Sequence, residues 1–194
     1  MPLRNPSTSH AEAHTVASHS DTTGTGAELE ELTDGSETTK HTHAASGVRG
    51  SVSAQPHNVS GTATLAANDG LATGASLGDA SNDGIGYLTI QVPADFSAIH
   101  SAIAIGFPTT NANLRWSIAT QFGAAGQAQN THTDSIATAT VAVLNTYVVN
   151  FDIAAALTGL AAGDVIQFAF TREGADAEDT VSGFFLQEIK LEYT

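Results

Sequence analysis

The sequence predicts an all-β fold: an antiparallel two-sheet sandwich, most simply a jelly roll, preceded by an extended N-terminal arm. Three observations carry this. Apolar residues alternate with polar ones at period two from about residue 61 onward. Turn-forming clusters punctuate that alternation. The first sixty residues show no sustained period at all. An immunoglobulin-like sandwich fits the same pattern, because alternation does not encode strand order.

The alternating runs follow one another along the chain. Leu88, Ile90 and Val92 alternate with Thr89 and Gln91, and Ile99, Ile103, Ile105 and Phe107 share the odd face of the next run. Leu114, Trp116, Ile118 and Phe122 oppose Arg115, Ser117 and Gln121. Tyr147, Val149, Phe151 and Ile153 oppose Asn150 and Asp152, and Ile166, Phe168 and Phe170 oppose Gln167 and Thr171. The last run sets Phe185, Ile189, Leu191 and Tyr193 against Glu188, Lys190 and Glu192. Asn68-Asp69-Gly70, Asn82-Asp83-Gly84, Asn145-Thr146 and Ala162-Gly163-Asp164 are turn signals between runs. Roughly seven to nine short strands are expected. Ile153 to Leu160 is too short for a packed helix and reads as a crossover.

Residues 1–60 are Ser, Thr, His, Ala, Gly and Glu in no regular order, a composition that cannot bury a core of its own. The expected division is therefore an arm or connector over 1–60 and a sandwich over 61–194. Within the arm, Leu29 and Leu32 allow a turn or two of helix. An arm of this kind gains order by lying on a neighbouring subunit or another protein.

The chain has 194 residues and a net charge of −14. Residues 1–60 carry three basic groups and seven acidic ones, and residues 61–194 three and thirteen, giving −4 and −10. Lys40 and Lys190 are the two lysines. Phosphate binding needs clustered Lys and Arg, so nucleic acid and anionic membrane are not expected partners. With no cysteine, neither a disulfide nor thiol chemistry is available. Met1 to Ser20 has no apolar signal-peptide core, and no stretch approaches a membrane span. A protein of this kind that works outside a cell is expected to leave in an assembly built in the cytoplasm.

His41-Thr42-His43 closes the arm. In an extended chain residues i and i+2 point the same way, so both imidazoles face one point. Two ligands hold a metal poorly, whereas three chains around an axis supply six, enough for an octahedral site for Fe, Zn or Ni. That arithmetic points to a homotrimer. His10, His14, His19 and His57 add further histidines to the same arm. Two exposed loop histidines are the simpler alternative.

The segment from His19-Ser20-Asp21-Thr22-Thr23-Gly24 through Leu32-Thr33-Asp34-Gly35-Ser36 to His41-Thr42-His43 resembles a connector of tailed-bacteriophage virion proteins. In fibres and spikes of that group, His-x-His pairs from three chains gather around a metal at the trimer axis. Leu160-Ala161-Ala162-Gly163-Asp164, Arg172, Asp176, Asp179 and Gly183, with the terminal Ile189 to Tyr193, are similar to the end of a phage jelly-roll domain. The resemblance implies a trimeric capsid decoration (cement) or head-fibre protein on the virion surface, anchored to the major capsid protein or another virion protein through residues 1–60. A tail fibre or spike whose sandwich binds a host receptor or glycan is the other implied reading.

Arg172 is expected to be neutralised by Asp176 or Asp179, which would hold the loop before the last strand. Glu173, Asp176, Glu178 and Asp179 lack the spacing and glycine of a calcium loop, and a solvated loop with one ion pair is the plainer reading. As a pair of hydrolytic acids they lack an aromatic groove, since the chain has one Trp and three Tyr and Trp116 falls on an apolar face. Asn58-Val59-Ser60 has the form of a glycosylation acceptor. No nucleophile elbow, phosphate loop or dinucleotide fingerprint is present, and nothing local joins His100 or His132 to a triad. The expectation is a protein that is not an enzyme.

Replacing His41 and His43 together with alanine should lower the trimer's melting temperature. Elemental analysis of the purified protein should find about one metal ion per three chains if six imidazoles share it.

Overall fold

The computed structural model describes residues 48–68, 72–78, 81–145 and 147–194. His41, His43 and the connector before them lie outside these residues. The described strands are β1 (Gly50–Ala54), β2 (Asn58–Gly61), β3 (Thr64–Asn68), β4 (Ala72–Ser76), β5 (Gly84–Gln91) and β6 (Ile99–Pro108). They continue with β7 (Ala112–Gly123), β8 (His132–Val143), β9 (Val149–Asp152), β10 (Val165–Arg172) and β11 (Phe184–Tyr193). The expected crossover after Ile153 is a single 3-10 turn, Ala154–Ala156.

The strands form two antiparallel sheets, one ordered β3-β4-β11-β6-β9 with β1 also on β11, the other β2-β5-β10-β7-β8. The eight strands from β4 onward therefore lie 4-11-6-9 over 5-10-7-8. This is the jelly-roll order and settles the choice against the immunoglobulin type. The sandwich begins earlier than the expected boundary at residue 61. β1 pairs with β11 from Gly50↔Tyr193 to Ala54↔Ile189, β2 pairs with β5, and the compact unit is Gly47–Thr194. These two strands escape the hydrophobic pattern because Ser, Gly and Asn occupy most of their positions; backbone pairing enlists them, with Val52, Ala54 and Val59 packed against the core.

The core lies between the sheets around four aromatic rings. Trp116 stacks on Phe170 at 5.5 Å and meets Phe151 at 4.8 Å, while Phe184 meets Phe151 edge-on at 5.7 Å. Tilted and edge contacts of this kind add about 0.5–1.5 kcal/mol each beyond burial. Two faces differ from expectation. In β6 the core-facing residues are Ala102, Ala104, Gly106 and Pro108, and Ile103, Ile105 and Phe107 are half-buried on the outer side. A Cβ at Gly106 would run into the Phe184 ring, so small residues must line the inner face. In β11 a register shift between Leu186 and Glu188 turns Leu186 and Ile189 to the same core, leaving Phe185 outside it.

At the end of the aromatic core, Arg172 occupies a core-facing position with its side chain fully enclosed, as is that of Asp179. Its Nη2 donates to Asp179 Oδ1 at 2.8 Å and to the Val181 carbonyl, and Nε donates to Asp179 Oδ2 at 3.3 Å. Nη1 donates to the Gly78 carbonyl at 2.7 Å and the Leu77 carbonyl at 3.5 Å. Every N–H of the guanidinium thus has an acceptor. Of the two expected partners, Asp179 takes Arg172. Asp176 instead lies 3.0 Å from Nε of Arg115, a Coulombic contact bent out of hydrogen-bond geometry.

Asp134 fixes the 3-10 crossover against β8. The Ser135 N–H donates to its carboxylate at 2.8 Å and the Thr158 N–H at 3.1 Å. These donors, with the Thr158 hydroxyl, hold its pKa below the ordinary aspartate value.

Arg172→Met strands a buried carboxylate and should cost about 3–5 kcal/mol in denaturant unfolding. Asp176→Ala, which breaks a partly exposed pair, should cost no more than about 1 kcal/mol. The depressed folded-state pKa of Asp134 means that its contribution is complete above the unfolded-state value and disappears as pH falls through the folded one. Urea midpoints of Asp134→Ala should lie below wild type at neutral pH, and the gap should narrow on acidification below about pH 4.

Candidate functional site

The outward face of the five-stranded sheet presents a shallow trough. Register builds it row by row. Ala169 of β10 lies opposite Tyr87 of β5 on one side and Ala119 of β7 on the other, and Ala119 lies opposite Ser135 of β8. In the next row, Gln167 stands between Thr89 and Gln121, with Thr133 beyond. Two alanines side by side make a low floor, and the longer Tyr87, Gln121 and Gln167 rise around it. The cleft they enclose is about 400 Å³ and includes Thr133 and Asp134 in its lining.

Two smaller spaces continue it, both sharing Gln167. One of about 190 Å³ runs past Tyr87 and Thr89 to His57 and Asn58. The other, about 250 Å³, lies between Gln91, Val165 and the Gly123–Gln129 loop. The groove therefore crosses the sheet instead of ending in one hole.

Its side chains are fixed by one another. Gln121 Nε2 donates to Gln167 Oε1 at 2.7 Å, and Gln167 Nε2 reaches Gln129 Oε1 at 3.4 Å. The Gln127 carboxamide accepts from the Ala124 N–H at 3.0 Å, which shapes the loop beside them. The Tyr87 hydroxyl lies 3.1 Å from Ser60 Oγ, and His57 Nε2 lies 3.0 Å from Thr89 Oγ1. A chain of amides leaves carbonyl and N–H groups free at its ends. Hydroxyl-bearing ligands, which both donate and accept, match such a lining. Asp134 is the one fixed charge among the lining residues of the three spaces, and Arg and Lys are absent from them. Phosphate and nucleic acid have no cation to meet there.

Of the described residues singled out in the sequence, His57 and Asn58 line the groove and the others fall elsewhere. Arg172 and Asp179 are enclosed and structural, Asp176 sits on the acidic loop, and Trp116 is buried in the core. On that loop Glu178 bridges Arg115 and Thr140, and Glu173 accepts from Ser117 Oγ at 2.8 Å. Among the described residues no three or more His, Cys, Asp or Glu side chains converge to hold a metal ion. His132 stacks on Phe122 at 5.2 Å and His100 is exposed on β6. Asn58, within the glycosylation-type triplet, lies at the rim of the groove in β2.

The trough itself was not apparent from motifs. Its only trace in the sequence is that Gln91, Gln121 and Gln167 recur on the polar sides of separate strands. Which strands are neighbours is the missing information.

No family model matches the chain, and no curated protein matches it. Solved structures of similar fold include the family 11 carbohydrate-binding module of the cellulosomal cellulase Lic26A-Cel5E of Clostridium thermocellum, at 11% identity and a TM-score of 0.35, covering 75% of this chain and 87% of that one. TmCBM61 in complex with beta-1,4-galactotriose is similar at 13% identity and a TM-score of 0.37, over 71% of this chain and 88% of that one. The enzymatically active domain of bacteriophage CBA120 tailspike protein 4 is similar at 15% identity and a TM-score of 0.31, over 73% of this chain and 19% of that one. At TM-scores below 0.5 these likenesses carry no argument about this chain. The chain is a jelly roll by its own strand order, and any use of its polar face rests on the residues that line it.

Proposed function

We propose that this chain is a phage virion component whose sandwich binds a neutral oligosaccharide of the host surface along the trough of the five-stranded sheet. The supporting observation is the lining: an alanine floor, amide and hydroxyl walls, and no cation. Sugars offer the complement, with C–H faces for the floor and hydroxyls for the walls. Burial of that apolar floor supplies driving force, and the amides fix orientation. Binding is the whole activity in this reading, without turnover, because the lining has one carboxylate where glycoside hydrolysis needs two.

The virion assignment rests on the connector ending at His41-Thr42-His43. The arm over residues 1–60 would anchor the chain to the capsid or a tail component, and a homotrimer would multiply weak sugar contacts by avidity. A tail fibre or spike suits this better than a cement protein, which has no use for an open polar groove.

Screening the full chain on a glycan array and titrating the hits by calorimetry should reveal neutral glycans as ligands. Tyr87→Ala and Gln167→Ala should each weaken binding about tenfold, the effect of one lost hydrogen bond to a desolvated polar group, with little change in melting temperature. A reducing-end assay on the same glycan should show no cleavage. If no glycan binds, and particles lacking the protein rupture sooner on heating, the capsid-stabilising role replaces this one.

A further inference from the structure

β8 is the outer strand of its sheet. It pairs with β7, and no described residue pairs along its other side. Hydrogen bonds made by β7 show which groups of β8 this leaves open. The Glu173 and Thr180 N–H groups donate to the Arg115 and Asn113 carbonyls, both at 2.9 Å, so Arg115 and Asn113 turn their backbone away from β8. Along an antiparallel strand such residues alternate with those that bond the other neighbour. Ala112, Leu114 and Trp116 therefore bond Val143, Val141 and Ala139, their partners in register. Thr140 and Ala142 point their N–H and carbonyl groups out of the sheet edge.

Nothing within the strand blunts this stretch. Ile136 to Val143 contains no Pro, Gly or charged residue, and Ala137 to Thr140 are exposed. Open strands of that kind invite pairing. The first part of β8 is closed instead, because Asp134 accepts from the Thr158 N–H and ties the crossover to it at 3.1 Å. What flanks the open part is acidic. On the outer face Thr140 Oγ1 donates to Glu178 at 2.9 Å, and Thr138 Oγ1 donates to Glu173 at 3.5 Å. Arg115 pairs with Asp176 and Glu178 together, which leaves that group negative before Glu173 is added.

We propose that the Thr138–Ala142 edge of β8 receives an extended, basic segment of a partner protein as an added strand. Backbone groups supply the pairing, and the acidic flank selects the charge. A residue placed opposite Thr140 lies on the same outer face, with the two Cβ atoms about 5 Å apart. A lysine or arginine there reaches Glu178, whose side chain is 63% exposed. The next residue of the added strand falls on the other face beside Ala139 and Val141, where an apolar side chain fits. Charge also rejects this chain as its own occupant. The β8 edge of a second copy, paired antiparallel, would bring its own Glu173 and Glu178 alongside. Residues 1–60 carry seven acidic groups against three basic ones, so a neighbour's arm has the wrong sign as well.

Fluorescence anisotropy of a labelled, capped hexapeptide of alternating lysine and valine, titrated with the full chain, tests this. The peptide should bind, less tightly as salt rises, and an alternating glutamate–valine peptide should not. In the paired register the lysines turn their amides to β8 and the valines turn theirs to water. N-methylation of the lysine amides should weaken binding at least about tenfold, whereas N-methylation of the valine amides should leave it intact. Glu178→Gln should also weaken it about tenfold, and Glu188→Gln, the same loss of charge on the other sheet, should not change it. Absence of binding, an equal loss from both methylations, unchanged binding by Glu178→Gln, or an equal loss with Glu188→Gln would overturn the proposal.

Discussion

The structure depends most on one enclosed ion pair, Arg172 with Asp179. A guanidinium and a carboxylate without solvent contact are expensive to desolvate, and a pair of that kind adds little net stability compared with apolar side chains of the same volume. Its value is positional. One side chain ties the end of β4, through the Leu77 and Gly78 carbonyls, to the loop before β11, through Asp179 and the Val181 carbonyl. Asp179 also accepts the Arg115 N–H at 3.0 Å, which brings β7 into the same knot. Both sheets are clamped at one end by hydrogen bonds that only one register of β10 can make.

That register is what the candidate site needs. Arg172 and Gln167 belong to the same strand and point to opposite faces, as their odd separation requires. Holding Arg172 inward holds Gln167 and Ala169 outward between β5 and β7. The binding face and the core are thus set together. The acidic loop next to the clamp uses its carboxylates on Arg115, Ser117 and Thr140, so the negative charge concentrates there and the trough lining stays close to neutral.

The fold class was legible because period two survives in β5, β7 and β10 and each break between runs carries Gly, Asn or Asp. Strand order was not, since it is fixed by which backbones pair, and the jelly-roll order appears only in three dimensions. The short β1 and β2 were invisible for a related reason: their Ser, Gly and Asn side chains bury little, and pairing to β11 and β5 supplies their hydrogen bonds. Arg172 could be marked as a residue needing a counterion, but loop residues at +4 and +7 are equally reachable in sequence. Burial distinguishes them, enclosing Asp179 and leaving Asp176 near the surface. The trough was the least legible feature. Gln121 and Gln167 are 46 residues apart and become neighbours only through the β7–β10 pairing.

Strand β6 carries apolar residues on both faces, and hydrophobicity therefore cannot tell its inside from its outside. Along its second half, a slip of one residue would exchange Ala102, Ala104 and Gly106 for Ile103, Ile105 and Phe107, apolar for apolar. Size makes the decision. The Phe184 ring fills the space above Gly106, and an isoleucine there has nowhere to go. In this strand the sequence is written in volumes, and neutral drift should follow bulk more closely than polarity.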